Sequence, residues 1–203
     1  MISIEKKLLS KIYGRGRGYA FSSNDFISSF SRDGIDKALS TLAQKGTIRR
    51  VARGIYDYPK YSELLQKELS PNVEEVADAY ARKFNWKIEV TGETALNVLG
   101  LSTQIVGKYI YLSNGSNKSY TLNDGRTIEF KKSALKNIGF KYKESSLIVQ
   151  ALKSLGKEHI TDEVIEKIRE QVDEKMYEKI LKDTKTATSW IYETIKQICK
   201  GVS

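Results

Sequence analysis

A chain of 203 residues with 40% hydrophobic and 29% charged side chains can build one large core or two small ones, and its composition is not that of a disordered polymer. No run of about 18 apolar residues occurs, and the opening Met1-Ile2-Ser3-Ile4-Glu5-Lys6-Lys7 lacks the apolar stretch of a secretory signal, so neither a membrane span nor a leader is expected. A single cysteine, Cys199, and a single histidine, His159, exclude an internal disulfide and a cysteine-built zinc site, and a reducing cytoplasm is the expected compartment.

The net charge of +9 is unevenly placed. Residues 1–60 hold 12 Lys and Arg against 5 Asp and Glu, so +7 of the +9 falls in less than a third of the chain. Clustered cations of this kind suit a polyanion, because each phosphate they neutralise releases condensed counterions.

In chain order, Ile4, Leu8, Leu9 and Ile12 recur at helical spacing and predict an amphipathic helix over 3–13. Three glycines in Gly14-Arg15-Gly16-Arg17-Gly18 predict a break and a flexible arm. Tyr19-Ala20-Phe21 predicts a very short strand, and Ser22 and Ser23 offer caps for a helix near 24–30 with Asp25 in its first turn. Ser31 caps the next helix, over about 32–45, whose apolar face is Ile35, Ala38, Leu39 and Leu42. Gly46 takes the left-handed position that ends it. Thr47–Val51 and Ile55–Tyr58 predict two strands joined at Ala52-Arg53-Gly54. Helix, short strand, helix, helix and two-stranded wing is the order of a winged helix-turn-helix.

An α-helix fits the major groove of duplex DNA, where base edges carry a distinct donor and acceptor pattern. With Ile35, Ala38, Leu39 and Leu42 inward, the outer face of the second long helix carries Arg32, Asp36, Lys37, Ser40 and, at its margin, Gln44. Arg32 and Lys37, with Ser40 as a weaker member, are the candidates for base or nearby phosphate contacts. Arg49, Arg50 and Arg53 flank the wing turn, within expected reach of phosphates or the minor groove, and Arg15 and Arg17 on the arm are expected to touch DNA backbone. The glycine loop is no nucleotide cradle: a helix precedes it where a strand is required, and no Gly-Lys-Ser/Thr follows.

Farther on, Tyr61–Leu69 predicts a linker helix, and Pro71 suits a first helical turn. Val73, Val76, Ala77, Tyr80, Ala81 and Phe84 form a helix face, Trp86–Val90 a strand, Gly92–Leu99 a helix and Ile105–Leu112 a strand. Tyr120–Leu122 and Arg126–Lys131 should pair around Asn123-Asp124-Gly125. The expected class is therefore α+β: a winged helix-turn-helix over 1–60, then a region 61–203 with a small α/β part (70–140) and a helical part (144–200). The latter is nearly neutral, with 10 Lys and Arg against 11 Asp and Glu, and Thr161-Asp162-Glu163-Val164 opens one of its helices at a capping signal. Its apolar stripe fits a helical bundle packed on the middle domain, the alternative being that part of it engages another protein or a second copy.

No catalytic residue, metal site or cofactor is expected. Asp124, Glu129 and Lys131 imitate the spacing of a metal-dependent nuclease, yet Asp124 is better explained as a turn residue and the other two as exposed strand positions. His159 and Cys199 lack an orienting partner for nucleophilic work.

Three runs resemble the AbiEi family: Tyr13-Gly-Arg-Gly-Arg-Gly-Tyr-Ala-Phe21, Ser31-Arg-Asp-Gly-Ile-Asp-Lys-Ala-Leu39 and Lys45-Gly-Thr-Ile-Arg-Arg-Val-Ala-Arg-Gly-Ile-Tyr56. The likeness is specific over 11–59, more diffuse over about 70–140 (Thr91-Gly-Glu-Thr-Ala-Leu96, Leu99-Gly-Leu101) and fades after residue 143. AbiEi proteins are the antitoxins of bacterial abortive-infection toxin–antitoxin pairs. The resemblance implies a winged-helix domain that represses its own operon at promoter repeats, a C-terminal domain that counters a nucleotidyltransferase-like toxin directly or functionally, and two copies on paired repeats. The rival expectation is a stand-alone transcriptional regulator whose C-terminal region binds a ligand or dimerises.

Overall fold

A computed structural model describes residues 3–103, 108–133 and 139–200. The class is α+β, as expected, and the chain divides into two compact units: one runs to Lys87 and includes Ser119–Ile128, and the other comprises Ile88–Lys118 and the chain from Glu129 onward.

In the first unit α1 (Ile4–Arg15) starts where the Ser3 hydroxyl accepts from Lys6 N, and buries Leu8 and Ile12. The break expected at Gly14 comes later. Helical dihedrals cost glycine only about 1 kcal/mol relative to alanine, so α1 continues through Gly14 and stops at Gly16, whose φ is 86°. Gly18 (φ 93°) takes the same left-handed region, with the Lys60 side chain lying over it. After β1 (Ala20–Phe21), the helix expected over 24–30 is only a 3-10 turn, Ser23–Phe26. Asp25 tightens it by accepting from both Ser22 N (2.8 Å) and Ser22 Oγ (3.2 Å).

Helix α2 (Arg32–Gln44) buries Ile35, Ala38, Leu39 and Leu42, the predicted face, against Leu8, Ile12, Phe21, Phe26 and Ile48. Gly46 follows with the expected positive φ of 70°. Strands β2 (Arg49–Ala52) and β3 (Ile55–Asp57) form the hairpin, and β1 joins it, giving the sheet order β1-β3-β2 with both pairings antiparallel. The register slips between Arg50 and Ala52, which adds twist next to the Arg53-Gly54 turn.

The linker helix expected over 61–69 is a hairpin instead, β4 (Tyr61–Ser62) against β5 (Lys67–Glu68). Nine residues are too few for a self-supporting helix, the threshold being about 12–15. No core receives their leucines, and Leu64 is 91% exposed.

Helix α3 (Val73–Phe84) begins where Asn72 Oδ1 accepts from Glu74 N and Glu75 N. It buries Val73, Val76, Ala77 and Tyr80 and packs on β1, the 3-10 turn and β3. Arg82 fastens its end, donating to Asp25 Oδ1 and to the Ala20 carbonyl, each at 2.6 Å. The N-terminal unit therefore extends past the boundary expected at residue 60. Residues 119–128 complete it: Asn123 N donates to Val51 O (2.9 Å) and Asn123 Nδ2 to Arg50 O (2.7 Å), and the Tyr120 ring stacks 4.0 Å from that of Tyr80.

The second unit contains β6 (Ile88–Val90), α4 (Gly92–Val98) and β7 (Lys108–Ser113), and a four-stranded sheet in the order β6-β7-β9-β8 involves β8 (Lys118–Thr121) and β9 (Thr127–Lys132). Residues 105–107 of the strand expected at 105–112 lie outside the described residues. Gly125, with φ 87°, serves the predicted turn between β8 and β9. Four helices follow, α5 (Lys143–Leu155), α6 (Asp162–Glu170), α7 (Tyr177–Asp183) and α8 (Ser189–Ile198), burying Ile148, Leu152, Ile168, Ile180 and Ile195. Thr161 Oγ1 accepts from Val164 N, the predicted cap of α6. Gly92 lets α4 and α5 approach, since a Cβ there would meet Ser154 Cβ at 2.6 Å.

The Asp57 side chain is 2% exposed and receives two hydrogen bonds from Arg49, Nε to Oδ1 at 3.0 Å and Nη2 to Oδ2 at 2.6 Å. Burial nevertheless pushes the Asp57 carboxyl above its ordinary range, with Arg49 pulling the other way. Between its unfolded and folded values the native state holds the proton longer, so this group's contribution declines as pH rises through that window. Removing Arg49 raises the carboxyl further. Arg49→Met should cost about 3 kcal/mol at neutral pH and regain part of it toward pH 4. Urea denaturation at the two pH values checks this, and equal losses at both would count against the pairing.

Candidate nucleic-acid interface

The outward face of α2 presents Arg32, Asp36, Lys37, Ser40 and Gln44, all exposed. At the start of the helix Arg32 Nη1 donates to Asn24 Oδ1 at 3.2 Å, and Arg32 Nε lies 3.6 Å from Asp36 Oδ2. These exposed contacts orient the guanidinium and leave it accessible, since its side chain is 57% exposed. Lys37 and Ser40 follow along the same face. Arg50 and Arg53 stand exposed beside the hairpin turn. Among the described residues no carboxylate pairs with Lys37, Arg50 or Arg53. The outer edge of β2 is not an open template: Asn123 occupies the carbonyls of Arg50 and Val51.

Two predicted contact residues, Arg49 and Arg17, are hydrogen-bonded within the fold, and Arg15 remains exposed. Arg49 is a structural cation, bound to Asp57 and donating from Nη1 to the Leu69 carbonyl at 2.9 Å. Its strand position points it at the one buried carboxylate of β3, a pairing that spacing along the chain does not reveal. Arg17 is not on a flexible arm: Nη1 donates to the Pro59 carbonyl at 2.9 Å and the guanidinium lies 4.7 Å from the centre of the Tyr58 ring. Arg15, at the end of α1, sits 5.7 Å from the Tyr19 ring centre. Arg15 and Arg17 line an open cleft of about 150 Å³ with Tyr19, Lys60 and Glu75.

One cation absent from the sequence-based set lies beside those that remain. Lys83, in the last turn of α3, is half-buried, and its backbone carbonyl accepts from Asn24 Nδ2 at 2.8 Å. Burial and then the nearby charges of Arg32 and Arg53 hold its ammonium below the ordinary lysine range, with Asp36 opposing. From sequence it is a basic residue complementing a helix C-terminus, and nothing local ties it to a turn thirty residues earlier.

The carboxylates of the nuclease-like spacing have partners of their own. Asp124 accepts from Arg126 Nε at 2.9 Å, and that contact holds its carboxyl below the ordinary range. Lys108 Nζ lies 3.0 Å from Glu129 and acts on it in the same direction. The Cys199 thiol is pushed up to about 11 by burial, which opposes the thiolate. Among the described residues no group of three or more His, Cys, Asp and Glu side chains could hold a metal ion, and no helix is long and apolar enough to cross a membrane.

Comparison with known proteins adds a family. A family model described as a family of unknown function, DUF6088, matches residues 6–181. No curated protein matches the sequence. Among solved structures, the RV2827C protein from Mycobacterium tuberculosis is similar at 11% identity over 98% of this chain and 77% of that one, with a TM-score of 0.41. That likeness is too slight to carry an argument.

The geometry separates cations that hold the fold from cations that do not. Arg17→Ala should lower stability by about 1 kcal/mol through its lost carbonyl and ring contacts. Arg53→Ala should stay within about 0.5 kcal/mol of the parent. Thermal melts of the two variants compare them directly, and a larger loss for Arg53→Ala would contradict the division.

Proposed function

The chain belongs to the DUF6088 family, whose function is unknown, and from that footing we propose that it is a DNA-binding autorepressor and the antitoxin of a bacterial toxin–antitoxin pair. In this reading residues from the N-terminus through the wing are a winged helix-turn-helix, α2 lies in the major groove, and the protein works in the cytoplasm without catalysis, cofactor or metal. The observation that carries it is the set Arg32, Lys37, Arg50 and Arg53, exposed on the outer face of α2 and beside a hairpin turn within the sheet order β1-β3-β2. Four cations without carboxylate partners of full strength cost self-repulsion in the free protein, and a duplex phosphate backbone removes that cost. Ser40, midway along the exposed face of α2, is positioned for a base edge or a phosphate.

The antitoxin half rests on the AbiEi-like runs. The C-terminal domain after the wing neutralises a nucleotidyltransferase-like toxin encoded beside it, by contact or by opposing its effect, while two copies of the head occupy promoter repeats. A stand-alone regulator is the second reading, favoured by an open cleft of about 630 Å³ in the second unit, lined by Leu112, Phe140, Gln150, Lys153 and Asp183 among others. Its size suits a small ligand.

Shift assays on the protein's own promoter at several salt concentrations test the DNA half. About four phosphate contacts per copy predict a log–log salt slope of about −3 to −4. An Arg50→Ala/Arg53→Ala variant should flatten that slope by about 2. Unchanged affinity and slope in the variant would remove the wing from the interface. Co-expression with the neighbouring gene tests the other half. Full-length protein and the Arg50→Ala/Arg53→Ala variant should both rescue growth if neutralisation belongs to the second unit, and no rescue by either would favour the stand-alone regulator.

A further inference from the structure

We propose that Lys83, from the far end of α3, acts with Arg32 and Arg53 as one binding site for a backbone phosphate of duplex DNA, where the start of α2 meets the wing turn. This rests on the DNA-binding reading above and adds to it a residue from outside the helix-turn-helix and wing.

Geometry is the first support. The Lys83 ammonium lies over the wing turn: a Cβ built on Gly54 would stand 2.8 Å from Lys83 Nζ. Gly54 itself has φ 72°, so the turn takes a glycine for its backbone and, in the same place, leaves room for the cation. Asn24 ties the three parts together. Its amide donates to the Lys83 carbonyl at 2.8 Å, and its Oδ1 accepts from Arg32 at 3.2 Å. The end of α3, the 3-10 turn and the start of α2 are thus fixed relative to one another before any ligand arrives, as a preorganised anion site requires.

The second support is charge. Three cations gather here, and Asp36, itself 3.6 Å from Arg32, is the carboxylate acting on the group. Asp25 is engaged by Arg82. Among the described residues Lys83 Nζ has no hydrogen-bond acceptor or ion pair, and it lies 5.5 Å from the centre of the Phe84 ring. Both burial and the two arginines disfavour its charged form. A half-buried ammonium held among like charges opposes folding, and such an arrangement marks a site for an anion. Duplex phosphate supplies that anion, and the flanking Arg50 and Lys37 extend the same field.

Lys83→Met keeps an unbranched apolar side chain and removes the charge, and Lys83→Arg restores it. The expected result is a Lys83→Met protein melting at or above the parent temperature, binding promoter duplex about tenfold more weakly at 0.1 M salt, with a salt slope shallower by about 1. Lys83→Arg should recover most of the affinity. A Lys83→Met protein less stable than its parent would make the ammonium a structural contact and overturn the proposal. So would full affinity and slope in Lys83→Met while Arg53→Ala binds weakly, and that result leaves the DNA-binding reading intact. If the parent protein binds duplex without salt dependence, the DNA-binding reading itself fails, and the triad with it.

Discussion

Arg82 donates to Asp25 Oδ1 and to the Ala20 carbonyl, and its guanidinium lies 5.3 Å from the Tyr19 ring centre. The Asp25 side chain is 8% exposed, so the carboxylate that tightens the 3-10 turn needs a cation for company. That cation comes from α3, nearly sixty residues later. A carboxylate taken from water without a partner costs several kcal/mol, which makes α3 part of the N-terminal unit. The rest of the head follows. With α3 docked on β1 and β3, Lys83 is delivered to the β2–β3 hairpin turn and the compact unit extends to Lys87.

The same constraint sorts the arginines. A count of charges treats every cation in residues 1–60 alike. In the folded unit, Asp57 and Asp25 are the acids removed from water, and each claims an arginine. Arg49 answers the first and Arg82 the second, while Arg17 is taken by a backbone carbonyl and a tyrosine face. Of the exposed cations, Arg32 and Lys37 lie along α2 and Arg50 and Arg53 beside the hairpin turn, a closer grouping than the overall charge suggests. The proposed duplex binding rests on that distribution more than on the net charge.

The second unit has a different character. Its helices carry nearly balanced charge, and several of its polar contacts close its own backbone, as where Asp183 accepts from Lys141 N and Tyr142 N. The positive excess of the chain therefore lies in the first unit, and the second closes its own polar groups internally.

The sequence by itself determined the local elements whose signals are short in range. The buried face of α2, the left-handed stop at Gly46, a turn near Ala52-Arg53-Gly54 and the Thr161 cap all follow from spacing and side-chain type over a few residues, and pairing of Ala52 with Ile55 narrows the turn to Arg53-Gly54. Spacing misled where a local pattern lacked tertiary support: Tyr61–Leu69 has a helical stripe but no core to receive it and became a hairpin. Gly14 stayed helical because glycine opposes a helix only weakly. Tertiary structure alone decided which arginines bond to buried acids and which face solvent, and that residues 119–128 close the edge of β2. It also brought Lys83 to the Arg53-Gly54 turn. Those outcomes depend on which groups lose water together when distant segments pack, and one-dimensional order does not contain that information.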